Sequence, residues 1–423
     1  MIPPLNLTRP QELHMRKMKF TALIAASLAL LGITDAASIS SCFSPNLGEF
    51  FSGSTGQDAY VGTYPLSGRS EDGFPKGRDD SVALFVGGDF RSKVGAEIEG
   101  KIVTLGNLRV DAAGAGDLVQ VGLGSQIIPN NGQQVILVGG VLQIDRDVRV
   151  MTQNNDPLFF GDIVYRGGTN NGTGTGTISS NRRPTATTFD PSLDLSVYED
   201  ALAEIQAKSQ FWSQLPANGN YTDYFDNPPE ENESVFSAGD GECIQVFHLT
   251  DELTNQDYGI DIKFDSSLEG KTIIINVKAD SGGEVLIQRV GSFYDSEGGG
   301  SSSHQFNPDF TASILWNFYD AKHVTLGTGV DFGQYQGTIL VPNGDLTVRV
   351  PGTNGRVIVG GDVTQDFSGG EFHNYEFDPV CPLPLPNCTD PATMVPNFSD
   401  PTPTAPIEDK DRSGHLRRRL YQM

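Results

Sequence analysis

Short runs in which large apolar residues alternate with polar ones, separated by glycine, asparagine or proline, dominate the chain from Val82 onward. Between Ala312 and Phe377 the runs read ILWNFY, HVTL, GTILVPNG and GRVIVGG. A period of two predicts β-strands, because successive side chains of a strand point to opposite faces. Similar runs occur earlier as ALFVGGDF, KIVTLGNL and VILVGGVL. The chain therefore repeats one strand-and-turn unit.

The spacing of the glycines between these runs predicts the architecture. The interval from Gly88 to Gly106 is nearly the same as that from Gly344 to Gly361, and both are close to the length of one coil of a β-solenoid. Glycine suits the corners, where the backbone needs φ above zero or a close approach. The interval from Gly106 to Gly140 is nearly twice as long, which requires inserted loops. We predict a mainly β, β-helix-like solenoid, with a β-sandwich as the alternative.

One segment, Asp194 to Leu215, has helical rather than strand periodicity. Its apolar stripe consists of Tyr198, Leu202, Ile205, Ser209 and Trp212. Ser196 and Glu199 have the spacing of a capping box, and Pro216 ends the helix. We predict one long α-helix that covers strands of the solenoid.

The two ends of the chain differ in composition from its centre. Arg16, Lys17 and Lys19 precede a short apolar run, Thr21 to Ile33, as in a secretory signal peptide cleaved after Ala36. A signal anchor is the alternative, and the extension ahead of Met15 makes Met15 or Met18 alternative start sites. We predict a signal peptide over 1–36, a β domain over 37–380 and a disordered Pro/Thr-rich tail over 381–423.

Charge and cysteine content narrow the range of possible partners and cellular locations. The net charge of −24 argues against nucleic acid and anionic membranes as partners. The four cysteines, Cys42, Cys243, Cys381 and Cys388, all follow the predicted cleavage site, which fits a secreted disulfide framework with three possible connectivities. The short loop between Cys381 and Cys388 favours that pair, and it leaves Cys42 with Cys243. No cysteine spacing typical of a metal site is present.

Polar segments supply candidate modification sites. The sequons of N-glycosylation begin at Asn171, Asn220, Asn232, Asn387 and Asn397, and each falls in a predicted surface loop or in the tail. The segment Gly167 to Thr188 is rich in glycine and threonine, and we predict a mobile surface loop there rather than a threonine array.

Candidate chemistry is sparse. His373 and Glu371 share one face of a strand, and we interpret them as a polar corner rather than an acid–base pair, since no nucleophile motif accompanies them. We expect no cofactor and no dedicated metal site. Two acid pairs, Asp251 with Glu252 and Asp261 with Asp265, could bind calcium weakly through carboxylate oxygens.

Three stretches carry a family resemblance: LWNFYDA from Leu315, QGTILVPN from Gln336 and GEFHNY from Gly370. Together with LGEF at Leu47 and FVGGDF at Phe85, they resemble the choice-of-anchor A adhesive domain. The resemblance implies a secreted or cell-surface adhesive module without catalytic residues. The chain ends in HLRRRLYQM, which resembles no surface anchor signal.

Three hypotheses of function follow. The first is a secreted, non-enzymatic adhesive protein that binds matrix or cell-wall polysaccharide or protein through a solenoid face. The second is a polysaccharide-acting β-helix enzyme, which requires clustered Asp and Arg in a cleft. The only such run is Asp145, Arg146, Asp147 and Arg149, and it fits a solvated face better. The third is an ice-binding solenoid, which requires a regular ladder of threonines that is not evident outside the glycine-rich segment.

Overall fold

The computed structural model describes residues 43–44, 77–78, 82–111, 119–121, 127–128, 134–150, 161–168, 174–180, 187–222, 233–240, 243–249, 261–287, 292–294, 308–327, 334–375 and 377–385. The chain divides into two units, Met1–Pro386 and Asn387–Met423, and all of the described residues lie in the first.

The elements alternate between short strands and tight corners. The first strands are β1 Phe43–Ser44, β2 Gly77–Arg78, β3 Val82–Val86, β4 Phe90–Ser92, β5 Ala96–Ile98, β6 Lys101–Thr104, β7 Leu108–Val110, β8 Val119–Val121, β9 Ile127–Ile128, β10 Gln134–Ile144, β11 Val148–Val150, β12 Asp162–Gly167, β13 Ile178–Ser180 and β14 Thr187–Phe189. Helix α1, Ser196–Trp212, follows, and then β15 Asn220–Thr222, β16 Glu233–Ser237, β17 Ile244–Leu249, β18 Asp261–Phe264, the 3-10 turn Ser266–Leu268, β19 Thr272–Val277, β20 Glu284–Ile287 and β21 Ser292–Tyr294. The last elements are α2 Pro308–Thr311, β22 Ile314–Asn317, β23 His323–Leu326, β24 Gln334–Gln336, β25 Thr338–Val341, β26 Asp345–Val348, β27 Gly352–Asn354, β28 Val357–Val359, β29 Val363–Gln365, β30 Gly370–His373 and β31 Leu383–Pro384.

Parallel pairing arranges most of these strands into three long faces. The first face has the order β17, β19, β22, β25, β28, β3, β6, β10, β12, β14. The second has the order β20, β23, β26, β29, β4, β7 and the end of β10, and the third has the order β24, β27, β30, β5, β8, β11, β13. A coil such as β3, β4, β5 gives one strand to each face. The solenoid prediction is confirmed, and the sandwich alternative is wrong because its strands would pair antiparallel.

The two halves of the chain meet inside this stack. Strands β3, β4 and β5 of the first coil pair with β28, β29 and β30 of the last coil, and we call this junction the seam. Arg356 Nη1 donates to the carbonyl oxygen of Val82 across it at 2.8 Å, and the backbone NH of Asp89 donates to Asp362 Oδ1 at 2.7 Å. The early and late repeats therefore form one continuous solenoid.

Apolar side chains fill the interior of the coils. Ile314, Trp316 and Phe318 point inward and are fully buried, as their shared strand parity predicts. The Trp316 ring lies 4.8 Å from the ring of Tyr335, centroid to centroid. Asn317 points to the opposite side, as the alternation of strand side chains requires, and there it is buried beneath α1.

Helix α1 covers the outer side of the first face. Its buried residues are Tyr198, Ala201, Ile205, Lys208, Ser209 and Trp212, and they pack on a row that includes Phe85, Val103, Leu137, Leu340 and Ile358. Asn317 Nδ2 donates to the carbonyl oxygen of Ser209 at 2.9 Å, and Asn276 Nδ2 donates to that of Trp212 at 3.0 Å. The covering helix is therefore confirmed.

The start of α1 differs from the prediction. The N-cap residue is Leu195, whose side chain makes no capping bond. The predicted capping box of Ser196 and Glu199 is wrong, because Ser196 already belongs to the helix. The backbone NH of Ser196 donates instead to Asp194 Oδ1 at 2.9 Å.

Stacked glycines form the corners between the first and second faces. Gly106 N donates to Gly88 O at 2.9 Å, and Gly140 N donates to Gly106 O at 2.7 Å. Gly106 and Gly140 therefore lie on adjacent coils despite the longer interval between them, as the inserted loops predict. A Cβ atom at Gly360 would lie 2.0 Å from the carbonyl oxygen of Pro342. The corners require glycine because backbone packs directly on backbone.

Part of the glycine-rich segment forms strands. β13 pairs with β11 on the third face, and β14 pairs with β12 on the first. The mobile-loop prediction is wrong for these strands because they extend the stack at its end. Residues 169–173 and 181–186 lie outside the described part of the chain.

One disulfide joins Cys243 to Cys381, with Cα atoms 6.0 Å apart. The predicted pair of Cys381 with Cys388 is therefore wrong, and so is Cys42 with Cys243. The physical reason is that the segment after Phe377 crosses the first face, where the Cys381 NH donates to Thr272 Oγ1 at 2.8 Å. Cys42 and Cys388 lie outside the described residues.

The first residues of the Pro-rich segment also pack on the solenoid. Leu383 is fully buried, Trp212 Nε1 donates to the carbonyl oxygen of Pro384 at 2.8 Å, and β31 pairs antiparallel with β1. Residues 381–385, expected to belong to a disordered tail, thus cover one end of α1. Among the described residues, no helix has the length and apolarity needed to cross a membrane.

Candidate binding faces of the solenoid

The second face presents three columns of outward side chains, in which successive members come from adjacent coils. The central column consists of Leu286, Thr325, Thr347, Thr364, Arg91, Arg109 and Gln143. The corner column, beside the stacked glycines, consists of Glu284, His323, Asp345, Asp362, Asp89 and Asn107. The charged column consists of Arg349, Asp366, Lys93, Asp111 and Asp145.

The columns arise from a pattern repeated in each coil. Asp345-Leu-Thr-Val-Arg and Asp89-Phe-Arg-Ser-Lys both place inward residues at the second and fourth positions. The first, third and fifth side chains must then point outward. Parallel in-register pairing stacks each position on its equivalent in the next coil, roughly 4.8 Å away.

Three threonines on consecutive coils occupy the middle of the central column. Thr325 pairs with Thr347, and Thr347 pairs with Thr364. Arg91 and Arg109 continue the column on the next two coils, with their side chains nearly half exposed. The column therefore offers a row of hydroxyl groups followed by guanidinium groups at a constant spacing.

Aspartates and an asparagine in the corner column bind the backbone of the next coil. Asp345 Oδ1 accepts from Asp362 N, and Asp362 Oδ1 accepts from Asp89 N, both at 2.7 Å. Asp89 Oδ1 accepts from Asn107 N at 2.7 Å, and Asn107 Oδ1 accepts from Val141 N at 2.8 Å. This ladder ties consecutive coils together and keeps the face in register.

Basic residues of the second face lie beside carboxylates. Arg109 Nε lies 2.6 Å from Asp111 Oδ1, and Asp111 Oδ2 also accepts from Arg91 Nε at 2.8 Å. Arg349 and Lys93 both contact Asp366, at 3.2 and 3.3 Å. These side chains are partly exposed, so the pairs add little to stability, but they balance charge on a face of a strongly acidic chain.

The third face holds a cluster of ionisable groups at the seam. Glu97 of β5 pairs in register with Glu371 of β30, and His373 Nε2 lies 2.8 Å from Glu371 Oε2. Glu99 is buried, and its Oε2 accepts from the backbone NH of Asn374 at 2.9 Å. The structure thus confirms that His373 and Glu371 share a strand face, and it adds two glutamates from a distant part of the sequence.

Burial and charge shift the titration of this cluster. Burial, together with the negative charges of Glu99 and Glu371, raises the pKa of Glu97 to about 7. The hydrogen bond from His373 lowers the pKa of Glu371. Burial by itself lowers the pKa of His373, but the bond to Glu371 and the surrounding carboxylates outweigh burial and raise it.

The remaining candidates are dispersed. Asp145 lies on the second face, 3.8 Å from Arg109, whereas Asp147 binds Thr177 N and Oγ1 at the next corner, at 2.9 and 2.7 Å. The Asp145 to Arg149 run is therefore divided between two faces and does not form one cluster. The bonds from Thr177 lower the pKa of Asp147.

In the predicted calcium pair of Asp261 and Asp265, the Asp265 carboxylate accepts from Ser267 N at 2.8 Å and caps the 3-10 turn. The other predicted pair, Asp251 and Glu252, lies outside the described residues. Within the described ranges, no group of three or more metal-ligating side chains is close enough to hold an ion.

Of the predicted N-glycosylation sites, Asn220 is exposed on β15. The sequons at Asn171, Asn232, Asn387 and Asn397 fall outside the described part of the chain.

Sequence reasoning missed the threonine column. Its members are far apart in the sequence and unequally spaced, so no local repeat reveals them. The signal that identifies them is the recurring apolar-Thr-apolar triplet in HVTL and DLTV, and the related DVTQ, each placed directly after a corner. The Arg residues of DFRS and NLRV occupy the same position.

Several solved structures resemble the chain at low identity. They are an ice-binding protein from the Antarctic ascomycete Antarctomyces psychrotrophicus (10% identity, 70% of this chain and 94% of that chain, TM-score 0.27), an ice-binding protein from an Antarctic biological consortium (12%, 69% and 86%, TM-score 0.26), and a glycosylated ice-binding protein from an Arctic yeast (13%, 72% and 93%, TM-score 0.21). No curated protein matches the chain in sequence.

A family model described as "Putative Ice-binding-like adhesive domain" matches residues 83–374. The match begins in β3 of the first coil and ends just after β30 of the last coil, so it spans the seam, all three faces and α1. The match confirms the predicted adhesive domain, but it does not support the choice-of-anchor A family in particular. The chain belongs to the family of ice-binding-like adhesive domains.

Proposed function

We propose that the protein is a secreted, non-enzymatic adhesive protein that binds an extracellular surface, polysaccharide or matrix protein, through the second face of its solenoid. The observation that carries this proposal is the central column, in which hydroxyl and guanidinium groups recur in register on consecutive coils. An in-register array of donors at about 4.8 Å suits an extended partner bound through many weak contacts, whose avidity grows with the number of copies displayed.

Other parts of the molecule are less suited to this role. The first face lies beneath α1, and at the seam the third face carries an acidic cluster in which Glu99 and His373 are buried. The signal-like segment ending at Ala36, the disulfide and the resemblance of LWNFYDA and GEFHNY to choice-of-anchor A domains support an extracellular location. We expect neither a cofactor nor a catalytic centre to be required. Adhesion to an acidic partner should need calcium or salt to screen the charge of −24.

Adhesion can be tested with beads that carry residues 37–423, applied to cell-wall and matrix preparations with and without calcium. Thr347→Tyr places a ring in the middle of the central column and should reduce attachment at least tenfold. Ala203→Tyr, on the exposed side of α1, is the matched control and should attach normally. Equal attachment of both variants would show that the second face is not the binding surface. Cleavage of a polysaccharide by the protein would favour the hypothesis of a polysaccharide-acting enzyme.

The threonine column also favours a second candidate, ice binding. Thr325, Thr347 and Thr364 form a short regular row, but Arg91 and Arg109 interrupt it and charged side chains flank it. Replacing both arginines by threonine would extend the row to five coils. If the face binds ice, this variant should inhibit ice recrystallisation more strongly than the wild type. An adhesive role predicts instead that the variant attaches more weakly and inhibits ice recrystallisation no better than the wild type.

A further inference from the structure

The ionisable cluster of the third face lies on the seam, where the first coil meets the last. Glu97 and Glu99 belong to the first coil, and Glu371 and His373 belong to the last. The bond from Asn374 N to Glu99 Oε2 joins residues 275 positions apart. Each proton gained or lost in this cluster therefore acts on the contact between the two halves of the solenoid.

The strands beside β5 and β30 carry uncharged residues at the in-register positions, whereas the corner after β27 carries the buried Arg356, which bonds to Val82 across the seam. On β27 the in-register positions are Gly352 and Asn354, and on β8 the position beside Glu97 is Gln120. The groups whose charges act on His373 are Glu99, Glu371 and Glu97. The cluster thus sets three carboxylates around one histidine.

We propose that this cluster is a pH-sensitive clamp, which holds the first coil against the last in mildly acidic solution and weakens above neutral pH. At acidic pH a protonated His373 faces Glu371 while Glu97 is uncharged. At alkaline pH His373 is neutral and Glu97 is ionised, so the carboxylates of Glu97 and Glu371, which pair in register, face each other across the seam without the imidazolium charge. Like charges this close destabilise the contact between the strands that carry them.

The titrations of Glu97 and His373 give the same sign. Folding raises the pKa of Glu97 from 4.5 to about 7, so the folded state holds this proton more tightly, and the stability gained below pH 4.5 is lost as the pH rises to about 7. The raised pKa of His373 likewise gives stability that is lost above its ordinary value of 6.5. Glu371, with a lowered pKa, loses its contribution only as the pH falls below 4.5.

Glu97→Gln provides the test, because glutamine mimics the neutral side chain at every pH. Urea unfolding should give similar stability for variant and wild type at pH 4, below the ordinary pKa of 4.5. At pH 8.5 the variant should have a folded-to-unfolded ratio roughly tenfold higher, which allows for solvent screening of a half-exposed group. Asp200→Asn, an exposed carboxylate change on α1, is the matched control and should not alter the pH profile.

Hydrogen exchange tests the seam directly. The backbone NH of Glu99 donates to Phe372 O across the seam at 2.9 Å, and that of Gly361 donates to Gly344 O on the other side of the last coil at 2.9 Å. After correction for intrinsic rates, protection of the Glu99 amide should fall about tenfold between pH 5.5 and 8.5 in the wild type but not in Glu97→Gln, while Gly361 should change no more than Glu99 does. A wild-type pH profile in Glu97→Gln, or unchanged protection of the Glu99 amide in the wild type, would overturn the clamp.

Discussion

Replacing Trp316 by alanine removes the indole from the aromatic centre of the solenoid. The side chain is fully buried, and its ring lies 4.8 Å from that of Tyr335 and 6.0 Å from that of Phe236, centroid to centroid. Truncation of a buried tryptophan to alanine costs about 3 to 5 kcal/mol of unfolding free energy. Trp316 Nε1 also donates to Gln336 O at 2.8 Å, and loss of this bond adds about 1 kcal/mol. We therefore expect destabilisation of about 4 to 6 kcal/mol.

The assay is urea unfolding monitored by far-ultraviolet circular dichroism, with the disulfide intact. Trp316→Phe is the matched control: it keeps most of the ring and loses the hydrogen bond, so it should cost about 1 to 2 kcal/mol. The chain has two tryptophans, and this control leaves Trp212 as the fluorescence reporter of α1. A loss below about 1 kcal/mol in the alanine variant would refute the inward orientation of this strand's aromatic face.

Further predictions concern the covalent framework, the corners, the helix contact and the amino terminus. Disulfide mapping of the purified protein should join Cys42 to Cys388, because the other two cysteines are already paired and β1 lies beside β31; a free thiol at either position would contradict this. Gly360→Ala should lower the free energy of unfolding by about 1 to 3 kcal/mol, measured by urea titration, because the added Cβ meets a carbonyl oxygen. Asn317→Leu should cost about 1 to 3 kcal/mol and make α1 more sensitive to limited proteolysis. Mass spectrometry should find Ala37 as the first residue of the exported chain, and an intact leader would show that the signal was misassigned.

The fold was predictable because its determinants are local. Each coil repeats inward apolar positions and glycine corners, so strand parity alone oriented Ile314, Trp316 and Phe318. The helical stripe of α1 was equally clear, since no other segment between Val82 and Phe377 combines that length and period. Its first turn was misjudged because Ser196 and Glu199 have capping-box spacing, and only the backbone shows that the helix has already begun at Ser196.

The site was less predictable because it depends on how distant coils stack. Thr325, Thr347 and Thr364 form a column only once the corner and loop lengths are known. Glu97 and Glu371 become neighbours only through the seam. The disulfide was misassigned for a related reason, since proximity in sequence favoured Cys388 while packing of the segment after Phe377 on the first face brings Cys381 to Cys243.

The seam also has a consequence for synthesis of the chain. The contact between Asp89 and Asp362 joins positions 273 residues apart. At a translation rate of about 5 to 20 residues per second, the last coil follows the first by roughly 14 to 55 s. During that interval β3, β4 and β5 each present one open edge, and such edges readily pair with other chains. Yield of soluble protein should therefore depend on how fast translation proceeds between these two coils, and slowing that stretch should favour aggregation.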